Sequence, residues 1–281
     1  MLGDEADAVF DDKSRYARHR LIETMCRGEA YARPSIGRRK EIDALTLDAA
    51  RAAWRDVVDR APADLFLVGN LTVAEARRFA KRLALGGRGR LASLRRTVRK
   101  PAGRVRTVRE SQEVTQAKLE MGFRTSVRHG QKQFPAYVLM NGVFGGTPVG
   151  KLFKVVREKA SLCYSVYSAP ERTKGLMLVH AGIDEKNYAK ARRLILRQLD
   201  AVRAGEIETE QIEMARSMLV GALRTMRDSP HALIDFALER TVNGVGADLE
   251  GLLADLERVT VRDVARVART VELDSVFLLR S

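Results

Sequence analysis

Two stretches of the chain alternate apolar and polar positions in the same order. Residues 45–69 read LTLDAARAAWRDVVDRAPADLFLVG, and residues 259–280 read VTVRDVARVARTVELDSVFLLR. In each, a threonine (Thr46, Thr260) stands where a helix N-cap is favoured, and Asp263 completes a Thr-x-x-Asp box in the second copy. Apolar residues then recur near helical spacing and give way to a four-residue apolar run, LFLV or VFLL, of the kind that forms a buried strand. Each copy thus predicts a helix followed by a strand. The repeat predicts two similar domains that each end this way. If the domains are equal in size, the first lacks roughly a hundred residues at its start, because few residues precede Thr46.

Between and after the copies the periodicities are those of an α+β layer. Ala117, Leu119, Met121 and Phe123 alternate with polar residues, which predicts a half-buried strand. Pro135 opens a helix carrying Tyr137, Met140 and Phe144, broken by NGVFGGTPVG. Leu152, Phe153 and Val156 share one side of a short second helix ending near Lys159. The strands CYSVYS and GLMLVHAGI follow, joined by a hairpin turn around Pro170. Asp184 is placed to cap a helix bearing Ala191, Leu194, Ile195, Leu199 and Val202, which Gly205 terminates. Two further helices are predicted near 209–227 and 230–242, the latter with Ser229 as its cap and Pro230 first.

The composition supports packed cores. The chain has 281 residues, 45% hydrophobic and 31% charged, enough for two globular units. Its apolar runs fall far short of the roughly 20 residues that span a bilayer. The acidic N-terminus, MLGDEADAVFDDK, lacks the pattern of a secretory signal, so a cytoplasmic location is expected. Cys26 and Cys163 are far apart and read as small apolar fillers. Residues 86–109, rich in glycine and arginine, read as a basic linker between residues 1–85 and 110–281. The net charge of +14 raises sequence-independent nucleic-acid binding as an alternative. Aromatics make up only 6% of the chain, and none stands between Phe79 and Phe123 to stack on bases, which disfavours that reading.

Catalytic motifs are missing from the chain. His19, His129, His180 and His231 form no HxxEH, HxxxH or inverted HxxEH pair that would set two imidazoles on one helical face for zinc. There is no GxSxG elbow, Walker loop or GxGxxG turn. Cys163 has no nearby histidine to activate it. No catalytic residue and no metal ligand is therefore assigned.

The segment GKLFKVVREKASLCYSVYS carries a more specific signal, with Arg157 in a helix's last turn and Tyr164 seven residues on, early in a strand. This segment resembles the M16 (pitrilysin or insulinase-like) metallopeptidase family, in which a Gly-Gly loop, a Lys-Leu-Phe helix, an arginine and a tyrosine follow at similar spacing. QAKLEMGFR is similar to that family's domain-opening strand, and GLMLVHAGIDEKNYAKARRLILRQL to its central strand and following helix. Upstream, DDKSRYARHRLIETMCRGEAYARPSIGRRKEIDAL resembles the late part of the first domain in bacterial non-catalytic members.

The resemblance implies an α+β sandwich of antiparallel sheet and helices, of the kind shared by LuxS and mitochondrial-processing-peptidase-like metallohydrolases. It implies that residues 1–85 are the C-terminal part of a first domain and that 110–281 form the second, substrate-binding one. It further implies a non-catalytic subunit that binds an extended peptide and pairs with a zinc-bearing homologue or with itself, zinc being expected only in that partner or in residues upstream. Alternatives are a purely structural scaffold subunit and a fragment of an active zinc metalloendopeptidase.

Arg157 and Tyr164 are then the candidate peptide-binding pair, since a guanidinium and a phenol can donate to a peptide carbonyl or a developing oxyanion. The other reading has Arg157 capping its helix C-terminus and Tyr164 packed in place. Gly145 and Gly146 join the candidate site through the family's Gly-rich loop; the loop is shorter here than the insert of some relatives, and with Gly142 and Gly150, which admit positive φ, it reads first as a helix-breaking turn.

Overall fold

A computed structural model describes residues 2–61, 63–83, 102–171, 173–246 and 248–281. Most of the predicted linker lies outside these residues, and so does the basic stretch on which the nucleic-acid reading rests. Three helices open the chain: α1 (Leu2–Asp11), α2 (Lys13–Met25), whose N-cap Asp12 accepts from the Ser14 and Arg15 amides, and the short α3 (Arg39–Asp43). They are followed by α4 (Leu47–Arg60), capped by Thr46, and α5 (Val73–Arg82), capped by Thr72 in a reciprocal box with Glu75.

The rest forms one α+β layer. Strands β1 (Arg106–Ser111) and β2 (Ala117–Arg124) lead to α6 (Phe134–Asn141), and a helical segment over Leu152–Lys159 leads to β3 (Cys163–Glu171) and β4 (Leu176–Ile183). Helices α7 (Tyr188–Ala204), α8 (Thr209–Thr225), α9 (Pro230–Val242), α10 (Leu249–Arg258) and α11 (Val261–Ala268) precede β5 (Glu272–Arg280). The sheet runs β1-β5-β2-β4-β3, parallel between β1 and β5 and antiparallel elsewhere.

Period-2 alternation assigns the two faces of the sheet. Leu119, Met121 and Phe123 of β2, with Met177, Val179, Ala181 and Ile183 of β4, enter the main core beneath the helices. Leu176, Leu178, Phe277 and Leu279 face the other way and meet Tyr16, Ala17, Leu21 and Met25 of α2. A glycine permits that approach: a Cβ on Gly122 would stand 2.6 Å from the Met25 sulfur.

α2 is also fixed by charge. The Arg124 guanidinium, buried, donates through Nε to Asp274 Oδ2 at 2.8 Å and through Nη2 to Glu29 Oε1 at 2.8 Å and the Met25 carbonyl at 2.7 Å. Lys174 Nζ reaches the other Glu29 oxygen at 3.0 Å. At the far end of the helix, Tyr16 donates to Glu110 Oε2 at 2.6 Å, and Arg20 donates to Glu110 Oε1 at 2.6 and 2.9 Å.

Several local expectations meet the structure differently. The LFLV run at 65–68 forms no strand: Leu65, Leu67 and Val68 are exposed, with no described strand beside them to satisfy their amides. Its counterpart VFLL lies inside β5, paired on both sides. The last residues of the predicted linker, 106–109, belong to β1. Pro170 continues β3, where an edge position spares it a ladder donor, and the turn comes later with Gly175 at φ 66°. The side chain of Asp184 makes no cap bond; a 3-10 turn over Glu185–Asn187 intervenes before α7. Ser229 and Gly205 (φ 81°) do cap as expected, and the Thr260–Asp263 box forms.

Both cysteines are buried or nearly so, and burial raises each thiol to about 11. At pH 8 roughly one thiol in a thousand is then ionised in the fold. Alkylation by iodoacetamide is expected to be slow for both until urea unfolds the chain; rapid modification of Cys26 in the native state would show that α2 is not seated as described.

Candidate functional site

The helix that opens at Phe134 does not stop at the glycines. It widens into a π-helical turn over Gly142–Gly146 and ends at Thr147, whose hydroxyl caps the Gly142 carbonyl at 2.8 Å. Neither Gly145 nor Gly146 has a positive φ, so the need for glycine there is spatial. A Cβ on Gly145 would fall 2.5 Å from Leu152 Cδ1, and one on Gly146 would fall 2.2 Å from Asn141 Nδ2. Gly145 is buried and Gly146 exposed. The turn holds α6 against β3 and against the next helix, with Ser168 donating to Asn141 Oδ1 at 2.8 Å.

That next helix, Leu152–Lys159, is also π-wound and buries Leu152 and Val156. It closes through Ser161, at φ 49° the one non-glycine residue with positive φ among the described residues. The Ser161 amide donates to the Arg157 carbonyl and the Leu162 amide to that of Val156, both at 3.1 Å. This tight reversal starts β3 four residues after the helix ends and sets Arg157 and Tyr164 at one corner of the sheet.

Both side chains stay outside. Tyr164 is 79% exposed and makes no hydrogen bond to a described residue. Arg157 is exposed, forms no ion pair with a described residue and rests over the Phe153 ring at 4.5 Å. Arg157 stands in the last turn of its helix, as the dipole reading requires, although backbone amides make the cap bonds; Tyr164 is not packed. No hydrogen bond joins the two residues, so the structure places them near one corner without coupling them.

The strand beneath them has an open edge, because among the described residues β3 pairs only with β4. Its register shifts between Cys163 and Ser165, a bulge that contains Tyr164. Cys163, Val166 and Ser168 turn toward the helices, leaving Tyr164, Ser165 and Tyr167 on the opposite, open face.

The same face, where it runs toward α2, carries buried residues that sequence reasoning passed over. His180 sits directly between Glu120 on β2 and Tyr167 on β3. Its Nδ1 lies 2.5 Å from Glu120 Oε1, and its ring stacks on Tyr167 with centroids 5.2 Å apart. Burial raises the Glu120 carboxyl, with the bond from His180 acting against it. The signal was there in KLEMGF and LMLVHAGI, apolar runs in which Lys118 and Glu120, and His180, face away from the core, but only the register brings Glu120 and His180 together.

Among the described residues no three histidines, cysteines or acids come together as a metal site. His129 bonds Glu239 through Nε2 at 2.9 Å, and His19 lies 3.7 Å from Glu23. None of the described helices is long and apolar enough to cross a membrane.

Comparison with known proteins places this geometry. Over 279 residues, 99% of the chain, it is 29% identical to the probable inactive metalloprotease YmfF of Bacillus subtilis (strain 168), of which it covers 66%. A conserved protein from Enterococcus faecalis V583 superimposes with a TM-score of 0.88 at 27% identity, over all of this chain and 66% of that one. A peptidase M16 inactive domain from Pseudomonas fluorescens has the same fold, with a TM-score of 0.80 at 18% identity over 99% of this chain and 68% of that one. The chain thus spans about two thirds of the length of these relatives. The sequence profile described as the peptidase M16 inactive domain matches residues 44–219, and the chain belongs to the M16 peptidase family through that inactive domain.

Proposed function

We propose that this chain is a non-catalytic M16 subunit that binds an extended peptide at the β3 corner and completes the active chamber of a zinc-bearing homologous partner. The observation that carries the reading is the pair Arg157 and Tyr164, both exposed, Arg157 held only over the Phe153 ring among the described residues, beside an open strand edge. An unpaired edge offers a peptide backbone its ladder hydrogen bonds, and the two side chains add donors for carbonyl oxygens. The partner's zinc would supply the activated water. Gly145 and Gly146 serve the site by letting the helices close up behind β3 rather than by touching the peptide.

The N-terminal part supports an assembly. On α4, the 65–68 run and α5, the apolar residues Leu47, Trp54, Val57, Leu65 and Phe79 are each exposed. So much apolar surface marks a contact face. In our reading residues 1–85 are the C-terminal part of a first M16-like domain, and this face belongs against the sheet of that domain.

The test is co-expression with a zinc-bearing M16 homologue and measurement of peptidase rate on a quenched fluorogenic peptide. The double variant Arg157→Ala, Tyr164→Phe is expected to form the complex normally and to lose about 100-fold in rate, the scale of a lost transition-state donor. An unchanged rate in an intact complex would overturn the peptide-binding role and leave a scaffold.

A further inference from the structure

At the other edge of the sheet from Tyr164, a cavity of about 1340 Å³ opens between α2, the loop that follows it and the start of β1. Its walls carry mostly one sign of charge. Arg20 and Arg27 come from the α2 side, Arg38 and Arg39 from the start of α3, and Arg104 and Arg106 from the start of β1. Glu23 is the one acid among the described residues that line it.

Half of these guanidiniums are already neutralised. Arg20 is shared by Glu23 and Glu110, Arg38 reaches Glu23 at 3.1 Å, and Arg39 holds Asp7 at 2.5 Å and Asp43 at 2.9 Å. Arg27, Arg104 and Arg106 are exposed and form no ion pair with a described residue; Arg106 donates to the Thr24 carbonyl at 2.6 Å. A guanidinium is charged throughout the pH range in which proteins fold, and it can only donate. Whatever fills the cavity must therefore supply acceptors, and three uncompensated charges select anionic ones.

The sheet side of the cavity selects a polypeptide among anions. Among the described residues β1 pairs only with β5, in parallel. The Gln112 amide donates to the Arg280 carbonyl, and in a parallel ladder alternate residues bond to the same neighbour. Arg106, Val108 and Glu110 thus bond toward β5, while Thr107 and Arg109 turn their amides and carbonyls to the free edge, where an extended chain can take them up. Bases find no platform there. Tyr16 and His19 are the rings in the lining; Tyr16 is bound to Glu110 and edge-on to Phe277, and His19 lies 3.7 Å from Glu23.

We infer that this cavity is a docking groove for an extended acidic segment of another polypeptide, which adds as a strand to the free edge of β1 while its carboxylates pair with Arg27, Arg104 and Arg106. The planar guanidinium takes a carboxylate through two parallel bonds, as Arg20 already takes Glu110. The groove lies at the opposite edge of the sheet from the Arg157–Tyr164 corner and does not depend on peptide binding there.

The experiment uses the whole chain and fluorescein-labelled peptides in which threonine alternates with glutamate, or with glutamine, so that every acid falls on one face of an added strand. Anisotropy near neutral pH and low salt is expected to show the glutamate peptide binding about tenfold more tightly, the combined effect of a few exposed ion pairs, with the difference shrinking as salt is added. Hydrogen exchange at the Thr107 and Arg109 amides should slow in the complex. The double variant Arg27→Glu, Arg104→Glu alters exposed residues only, should keep its urea midpoint, and is expected to lose the preference. Lys190→Glu with Arg193→Glu removes the same charge from the exposed side of α7 and is expected to keep it. Equal binding of the two peptides to wild type, or equal loss in both double variants, would overturn the groove, the second by showing attraction to net charge alone. Unchanged exchange at β1 would overturn strand addition. An oligothymidine of the same charge that binds as tightly and displaces the glutamate peptide would overturn the choice of a polypeptide.

Discussion

Replacing Arg124 with methionine is expected to lower the stability of this chain by about 3–5 kcal/mol, seen as a large fall in the urea midpoint. The guanidinium is 4% exposed and neutralises two carboxylates that are 3% exposed, Glu29 and Asp274. Methionine fills the space but leaves Glu29 with Lys174 and Asp274 with only the Ser275 hydroxyl, and an uncompensated buried charge costs far more than the intact pair contributes. Because Glu29 follows α2 and Arg124 belongs to β2, limited proteolysis should also release the first thirty or so residues sooner.

The pH dependence should change sign with the substitution. Burial by itself would raise the Glu29 carboxyl, but the bonds from Lys174 and Arg124 outweigh it and hold the group below its usual value. A carboxyl depressed in the fold stabilises above its unfolded value, near 4.5, and that contribution is lost as pH falls through the folded value. Without Arg124 the burial effect dominates and Glu29 moves upward, so the variant's deficit should narrow as acid protonates it. A deficit that stays constant from pH 7 to pH 4 would show that Arg124 acts by packing alone.

The second large effect is a contrast between two aromatic residues. Phe277→Ala is expected to cost about 3–5 kcal/mol, because the ring is fully buried between the sheet and α2, edge-on to Tyr16. Trp54→Ala is expected to change the stability of this chain by no more than about 0.5 kcal/mol, since Trp54 is 69% exposed. Trp54 is the sole tryptophan, so its fluorescence reports on the α4 face directly. Acrylamide should quench it readily in the chain alone and poorly once a partner covers that face. A strongly protected Trp54 in the isolated chain would mean that α4 is already packed.

The two copies of the helix-strand repeat show what local pattern can and cannot decide. In both, the threonine caps its helix as the sequence indicates, because capping needs only the residues within one turn. The strand depends on neighbours. VFLL finds β1 and β2 on either side and becomes central, whereas LFLV, equally apolar, finds no strand among the described residues and stays exposed. Pro170 is a similar case: as a turn former it predicts a reversal, but at a sheet edge its missing donor costs nothing and the strand runs through it.

The same division holds at the site. Arg157 and Tyr164 were legible because their segment resembles a family, and the structure adds that both are exposed, on either side of the reversal at Ser161. Gly145 and Gly146 were legible as a cluster, but the reason for them is contact with Leu152 and Asn141. The pairs Glu120–His180 and Arg124–Asp274 were not legible at all, being separated by 60 and 150 residues. By itself the sequence determined most of the helices with their threonine and serine caps, the alternation of β2 and the family, all set by short-range periodicity or contiguous motif; that α2 also covers the second face of β2, so that the strand is buried on both sides, it did not. Only the tertiary structure decided which strands pair, which acids meet which bases and which polar groups are left facing outward, because each depends on sheet register, and register joins residues that no local spacing connects.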